Sequence, residues 1–159
     1  ISDVPIERTM RAAVELVAER LREHNIGVDV QLGNAPDSFR ADANRIRQVL
    51  FNLLSNAVNY APEGSRITLT CARHPIGIAF SVHDDGPGIP ADVLDSIFRR
   101  FEPRSNGGRH RGAGLGLSIV KSFVELHDGT IEIETGAGSG TTVTCRFPIA
   151  PEGFREAAE

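Results

Sequence analysis

The stretch Ile46-Arg47-Gln48-Val49-Leu50-Phe51-Asn52-Leu53-Leu54-Ser55-Asn56-Ala57-Val58-Asn59-Tyr60 carries the clearest periodicity in the chain. Ile46, Val49, Leu50, Leu53, Leu54, Ala57 and Val58 recur every three or four residues, the spacing of one buried helix face. Asp42 reads as the N-cap, and Pro62 with Gly64 stops the pattern, so the spacing predicts a helix over 42–60. Beside the apolar stripe, Asn52, Asn56 and Asn59 fall at i, i+4 and i+7, which aligns three carboxamides along the helix. Each costs roughly a few tenths of a kcal/mol against alanine in a helix interior. Three in register read either as a solvated polar face or as oxygen donors for a hard cation. Magnesium riding on a phosphate needs only one or two such oxygens.

Outward from this helix the chain alternates in blocks. Upstream, Ile6, Met10, Ala13, Val14, Val17 and Leu21 predict a single amphipathic helix over 5–24, and Val28, Val30 and Leu32 a strand after Gly27. Downstream, strand-like runs at 66–72 and 77–83 flank a turn at His74-Pro75. A loop follows over 84–90, then a short helix over 91–98, a polar loop over 102–112, a helix over 115–127, and a second hairpin from 130–134 and 142–147. Pro148 closes the pattern, giving one domain over 1–150 and a frayed tail over 151–159. Helices and antiparallel hairpins in blocks predict an α+β two-layer sandwich rather than a doubly wound parallel sheet. No repeat is visible.

Composition agrees with one soluble domain: 159 residues, 40% hydrophobic and 24% charged, with a mean hydropathy of -0.15. A net charge of -4 without a basic block gives no nucleic-acid footprint. Cys71 and Cys145 lack metal-ligand spacing and read as reduced core residues. No apolar run is long enough to cross a membrane, so no direct membrane contact is expected and the domain is placed in the cytoplasm. The first residue is Ile, which reads as an excised piece of a longer chain.

Two glycine segments add chemistry. Asp84-Asp85-Gly86-Pro87-Gly88-Ile89-Pro90 leaves a strand, and its glycines permit close backbone approach to a ligand. Asp84 there can accept from an exocyclic amine, selecting adenine over guanine, although the same residues also make an ordinary Asp-Gly turn. Gly112-Ala113-Gly114-Leu115-Gly116-Leu117 opens a helix, and its amides suit a di- or triphosphate. It lacks the G-K-[ST] ending of a P-loop and the early βαβ setting of a dinucleotide fingerprint. The preceding polar run, 102–111, reads as a phosphate-contacting lid through Arg109, His110 and Arg111, or as a solvated surface loop.

In order and spacing these segments resemble the N, G1, F and G2 boxes of histidine-kinase catalytic domains, within the wider family of gyrase, Hsp90, histidine-kinase and MutL ATPases. The boxes are Asn52-Leu53-Leu54-Ser55-Asn56-Ala57, Asp84-x-Gly86-x-Gly88, Phe98-x-x-Phe101 and Gly112-x-Gly114-Leu115-Gly116-Leu117. The resemblance covers nearly the whole chain. It implies the Bergerat fold, a mixed and mostly antiparallel sheet backed by three helices, with ATP between the second helix and the lid. It further implies that Asp84 reads adenine N6, Asn56 coordinates Mg2+ with Asn52 nearby, Tyr60 packs on adenine, and Gly140-Thr141 supports the Asp84 end. Asn59, Gly86, Gly88, Ile89, Phe101, Arg109, His110, Arg111, Gly112, Gly114, Leu115, Gly116 and Leu117 complete the implied nucleotide site, with Asn52 and Asn56 as its catalytic positions.

The implied function is the ATP-binding catalytic domain of a two-component sensor kinase. No His-Glu-type phosphoacceptor segment is present, so the acceptor belongs to a dimerisation domain outside this chain. That makes the fragment a monomer, its parent a homodimer with or without a membrane anchor, and a response regulator the downstream partner. Asn59 replaces a frequent Lys or Arg, for which Arg109, His110 or Arg111 can substitute; Ala113 replaces Thr, and Arg99-Arg100 stand in the F box. Asn52 replaces the Glu that activates water in the ATPase branches, so hydrolysis should be slow and a gyrase-like role is disfavoured. A pseudokinase adaptor and an anti-sigma-factor-like serine kinase are the alternatives. The lid and residues 118–127 also resemble α-proteobacterial cell-cycle kinases of the DivL type, whose acceptor position can be Tyr.

Overall fold

Alternation at period two builds the main sheet. Ile67, Leu69 and Cys71 on one strand and Ile78, Phe80 and Val82 on the next turn inward, while Thr68, Thr70, Ser81 and His83 turn outward. The structure, a computed structural model, describes residues 1–98, 109–136 and 138–156. In chain order its elements are β1 (Ser2–Pro5), α1 (Ile6–Leu16), α2 (Ala18–Glu23), β2 (Gly27–Gln31), β3 (Ser38–Ala41) and α3 (Ala43–Tyr60). They continue with β4 (Arg66–His74), β5 (Gly77–Asp84), α4 (Ala91–Phe98), α5 (Arg109–Leu126), β6 (Thr130–Gly136), β7 (Gly140–Pro148), a 3-10 turn at Pro151–Gly153 and β8 (Phe154–Arg155). A five-stranded sheet runs β2-β4-β5-β7-β6, with β2 parallel to β4 and the other pairs antiparallel. The inward residues of this sheet and the apolar faces of α1, α3 and α5 form one core, so the expected α+β two-layer sandwich is present.

The 42–60 helix forms as the spacing predicts. The Asp42 carboxylate accepts from the backbone N–H groups of Asn44 and Arg45 at 3.0 and 3.3 Å, capping α3. Four expectations are corrected. The helix over 5–24 is broken: Val17 turns its N–H to the Val14 carbonyl at 3.1 Å, and the tightened turn keeps both Val17 and Leu21 buried. No glycine or proline announces that break. A second sheet, β1-β3-β8, was not foreseen, since strands of four, four and two residues are too short to show alternation. The tail is not frayed over 151–155, because Phe154 and Arg155 pair with Phe39 and Ser38. Finally, α5 begins at Arg109 instead of after Gly112. A glycine inside a helix costs only about 1 kcal/mol against alanine, which the good helix formers Ala113 and Leu115 between the glycines and Leu117 after them can carry. Phe101 and the rest of 99–108, which include most of the expected lid, lie outside the described residues. No helix among the described residues is long and apolar enough to cross a membrane.

Candidate nucleotide site

The core-facing row Ile78, Phe80, Val82 on β5 continues into Asp84, a carboxylate where the pattern would place an apolar residue. Asp84 is 1% exposed. Its Oδ1 accepts from the Gly86 N–H at 2.9 Å. Burial pushes the carboxyl above its ordinary range, opposed by the Gly86 hydrogen bond and the neighbouring His83, and reinforced by Asp85. The loop is held tightly. A Cβ on Gly86 would stand 2.2 Å from the Tyr60 carbonyl oxygen, and one on Gly140, whose φ is +77°, would stand 2.1 Å from the Asp84 carbonyl oxygen. Thr141, paired with Asp84 across β5 and β7, is buried, and its hydroxyl lies 2.9 Å from that of Thr135. Thr135 Oγ1 in turn accepts from the Ile89 N–H at 2.8 Å. Thr135 therefore ties the far end of the Asp84–Pro90 loop to β6, a role the sequence reading missed and that no local pattern signals.

Because Gly86 presses on the last turn of α3, Asp84 sits beside the helix end that carries Asn56 and Tyr60. Asn56 is 3% exposed, and its Oδ1 is buried without a hydrogen-bond partner among the described residues. An orphaned buried carbonyl oxygen costs about 1–3 kcal/mol, so the fold itself gains nothing from it. A hard cation with oxygen preference fits that atom. Asn52 lies one turn back on α3 and is half-buried. Asn59 accepts from Arg20 of α2 at 2.7 Å, and Arg20 also donates to Ser55 at 2.8 Å. An open cleft of about 550 Å³ runs between α2, the end of α3 and the loop, with Arg20, Asn59, Tyr60 and Pro87 in its walls.

Not every expected residue faces this cleft freely. Tyr60 is 2% exposed and Leu117 0%, so both are part of the core, and Tyr60 also stands in the cleft wall. Ile89 is also buried, and its described contribution is its N–H to Thr135. Gly88 follows Gly86 at a φ of +92°. Gly116 lies on α5, and none of the described residues comes within 4 Å of where a Cβ would go. Arg109, His110, Arg111, Gly112, Gly114 and Leu115 occupy the first turns of α5.

The sequence profile of the histidine kinase-, DNA gyrase B- and HSP90-like ATPases matches residues 41–151, from the end of β3 through β7. The chain belongs to that family. Within it, most of the similar proteins are named as histidine kinases, and this chain is a catalytic domain of their type. It is 41% identical to the circadian input-output histidine kinase CikA of Synechococcus elongatus over 131 residues, which cover 81% of this chain and 17% of CikA. The full-length ShkA structure in complex with AMPPNP superposes with a TM-score of 0.79 at 31% identity, covering 99% of this chain and 32% of ShkA. Histidine kinase ThkA, in its complex with the response regulator protein TrrA, gives a TM-score of 0.75 at 29% identity over 95% of this chain and 42% of ThkA. The chain thus spans less than half the length of each of these three proteins.

Proposed function

We propose that this domain binds ATP with magnesium and presents the γ-phosphate to an acceptor side chain on a dimerisation domain of its parent kinase. The observation that carries this is the meeting, at one end of α3, of two buried polar groups that cost the fold stability: the Asp84 carboxylate and the Asn56 Oδ1 that has no partner among the described residues. Asp84 accepts from the adenine amino group and rejects guanine, whose carbonyl there would face a carboxylate. The Gly86–Gly88 backbone lets the base approach. Asn56 Oδ1, with Asn52 beside it, would hold magnesium, which would supply positive charge against the phosphates. A carboxamide at Asn52 cannot take a proton from water, so hydrolysis is slow and the phosphoryl group is kept for a positioned acceptor. The AMPPNP complex of ShkA and the TrrA complex of ThkA support the nucleotide and a downstream response regulator, respectively. The same reading makes this chain a monomer that works on the cytoplasmic side.

Calorimetry with ATP and GTP, with and without magnesium, tests it. ATP-selective binding that strengthens with magnesium is the expected outcome. Silence up to millimolar ATP would hand the lead to an adaptor role, with Asn59 and Ala113 as the disabling departures.

A further inference from the structure

We propose that Arg20, reaching over from α2, is the cation that meets the nucleotide's terminal phosphates along the asparagine line of α3. This rests on the ATP reading above and extends it to a residue outside the sequence motifs. A triphosphate brings several negative charges, more than one divalent ion neutralises, yet the line formed by Asn52, Ser55, Asn56 and Asn59 is neutral. Among the described residues, Arg20 is a charge the fold lays on that line. Its guanidinium donates through Nη1 to Ser55 Oγ at 2.8 Å and through Nη2 to Asn59 Oδ1 at 2.7 Å, two neutral oxygens one turn apart.

Two bonds to fixed oxygens set the plane of the guanidinium and leave its remaining donors for another acceptor. Arginine forks match phosphate oxygens, and a half-buried one interacts more strongly than a fully solvated one. The position fits. Asn59 is three residues from Asn56, so their side chains emerge about 5–6 Å apart, within the span of a triphosphate held at Asn56. Arg20 also lines the same open cleft of about 550 Å³ as Tyr60 and Pro87 of the Asp84–Pro90 loop, so a ligand on that loop shares a wall with it. The break at Val17 turns α2 and delivers the side chain there.

Arg20 could instead only clamp α2 to α3, and a ladder of nucleotides separates the two roles. The 159-residue chain and its Arg20→Gln and Arg20→Lys variants would be titrated with ATP, ADP and AMP in magnesium, with melting temperature recorded alongside. A phosphate contact predicts that Arg20→Gln weakens ATP about 10-fold or more while AMP changes less than about 2-fold. Arg20→Lys should recover part of the loss, and adding Asn59→Lys to Arg20→Gln should return the preference for ATP. If Arg20→Gln does not fold, Arg20→Met takes its place in the ladder, with Arg20→Lys as the charge-keeping control. An ATP-to-AMP affinity ratio unchanged in these variants, whatever happens to the melting temperature, overturns the proposal and leaves a clamp. A parent chain that binds ATP normally in that case keeps the ATP reading intact; one that binds no adenine nucleotide removes both.

Discussion

The two glycine segments differ in what a side chain would meet. At Gly86 an added Cβ would stand 2.2 Å from the Tyr60 carbonyl oxygen and 2.8 Å from Asp84 Oδ1, whereas at Gly116 none of the described residues comes within 4 Å. The first segment has glycine because the loop, β6 and the end of α3 are packed too closely for anything else. At Gly116 in the second, glycine weakens a helix by about 1 kcal/mol against alanine and returns no packing against the described residues. Glycines of the first kind serve the fold and, through it, the site. Those of the second kind are explained only by something that approaches or reshapes α5.

Four substitutions can break or sharpen that contrast. Gly86→Ala should have the largest effect, destabilising the chain by about 3 kcal/mol or displacing the loop so that ATP binding is lost, because the clash is with backbone. A thermal melt with a parallel nucleotide titration would detect either, and an unchanged protein would mean the loop is looser than it looks. Asp84→Asn comes next, with ATP affinity reduced about 100-fold through loss of a charged acceptor.

Its stability should move the other way. Since the folded carboxyl lies above its ordinary range, the native state takes up a proton before the unfolded state does as pH falls. The buried charge therefore costs stability at neutral pH, and that cost fades as pH drops through the raised folded value toward the ordinary one. Asp84→Asn should melt higher than the parent at pH 7, with the gap closing on acidification. The parent's ATP affinity should decline over the same window. Equal melting temperatures at every pH would argue against a charged, buried Asp84.

Gly116→Ala should do the reverse of Gly86→Ala, raising stability by about 1 kcal/mol while weakening ATP about 10-fold. If affinity is untouched, the second segment's glycines have no part in binding. Thr135→Val, which strips the acceptor from the Ile89 N–H, should cost about 1 kcal/mol and only a few-fold in affinity. Amide exchange at Ile89 would report the loosened tether.

Much of this was legible in the sequence where a pattern runs long enough to exceed chance. The α3 stripe, Ile46 to Val58, repeats over about three and a half turns, and β4 and β6, one strand of each hairpin, alternate along most of their length. Asp84 was visible too, as a carboxylate at the close of an alternating apolar row. What stayed hidden depends on partners far along the chain or on elements too short to print a period. Arg20 finds Ser55 and Asn59 across 35 and 39 residues, a choice made by packing of α2 and not by any local signal. Thr135 reaches Ile89 across 46 residues in the same way. Val17 breaks a helix with no breaker residue, and β1, β3 and β8 are strands only because they have each other. The start of α5 was misplaced for the opposite reason: glycines were read as punctuation where the helix runs through them.

The small sheet has a mechanical consequence. Both outer strands, β1 and β8, press on β3, and α3 starts two residues after β3 ends. A tug at Ser2 or at Arg155 therefore arrives first at the same four-residue strand. From there the stiffest available rod is α3, whose far end carries Asn56, so a load entering at either extremity of the described chain is delivered along one lever arm to the pocket.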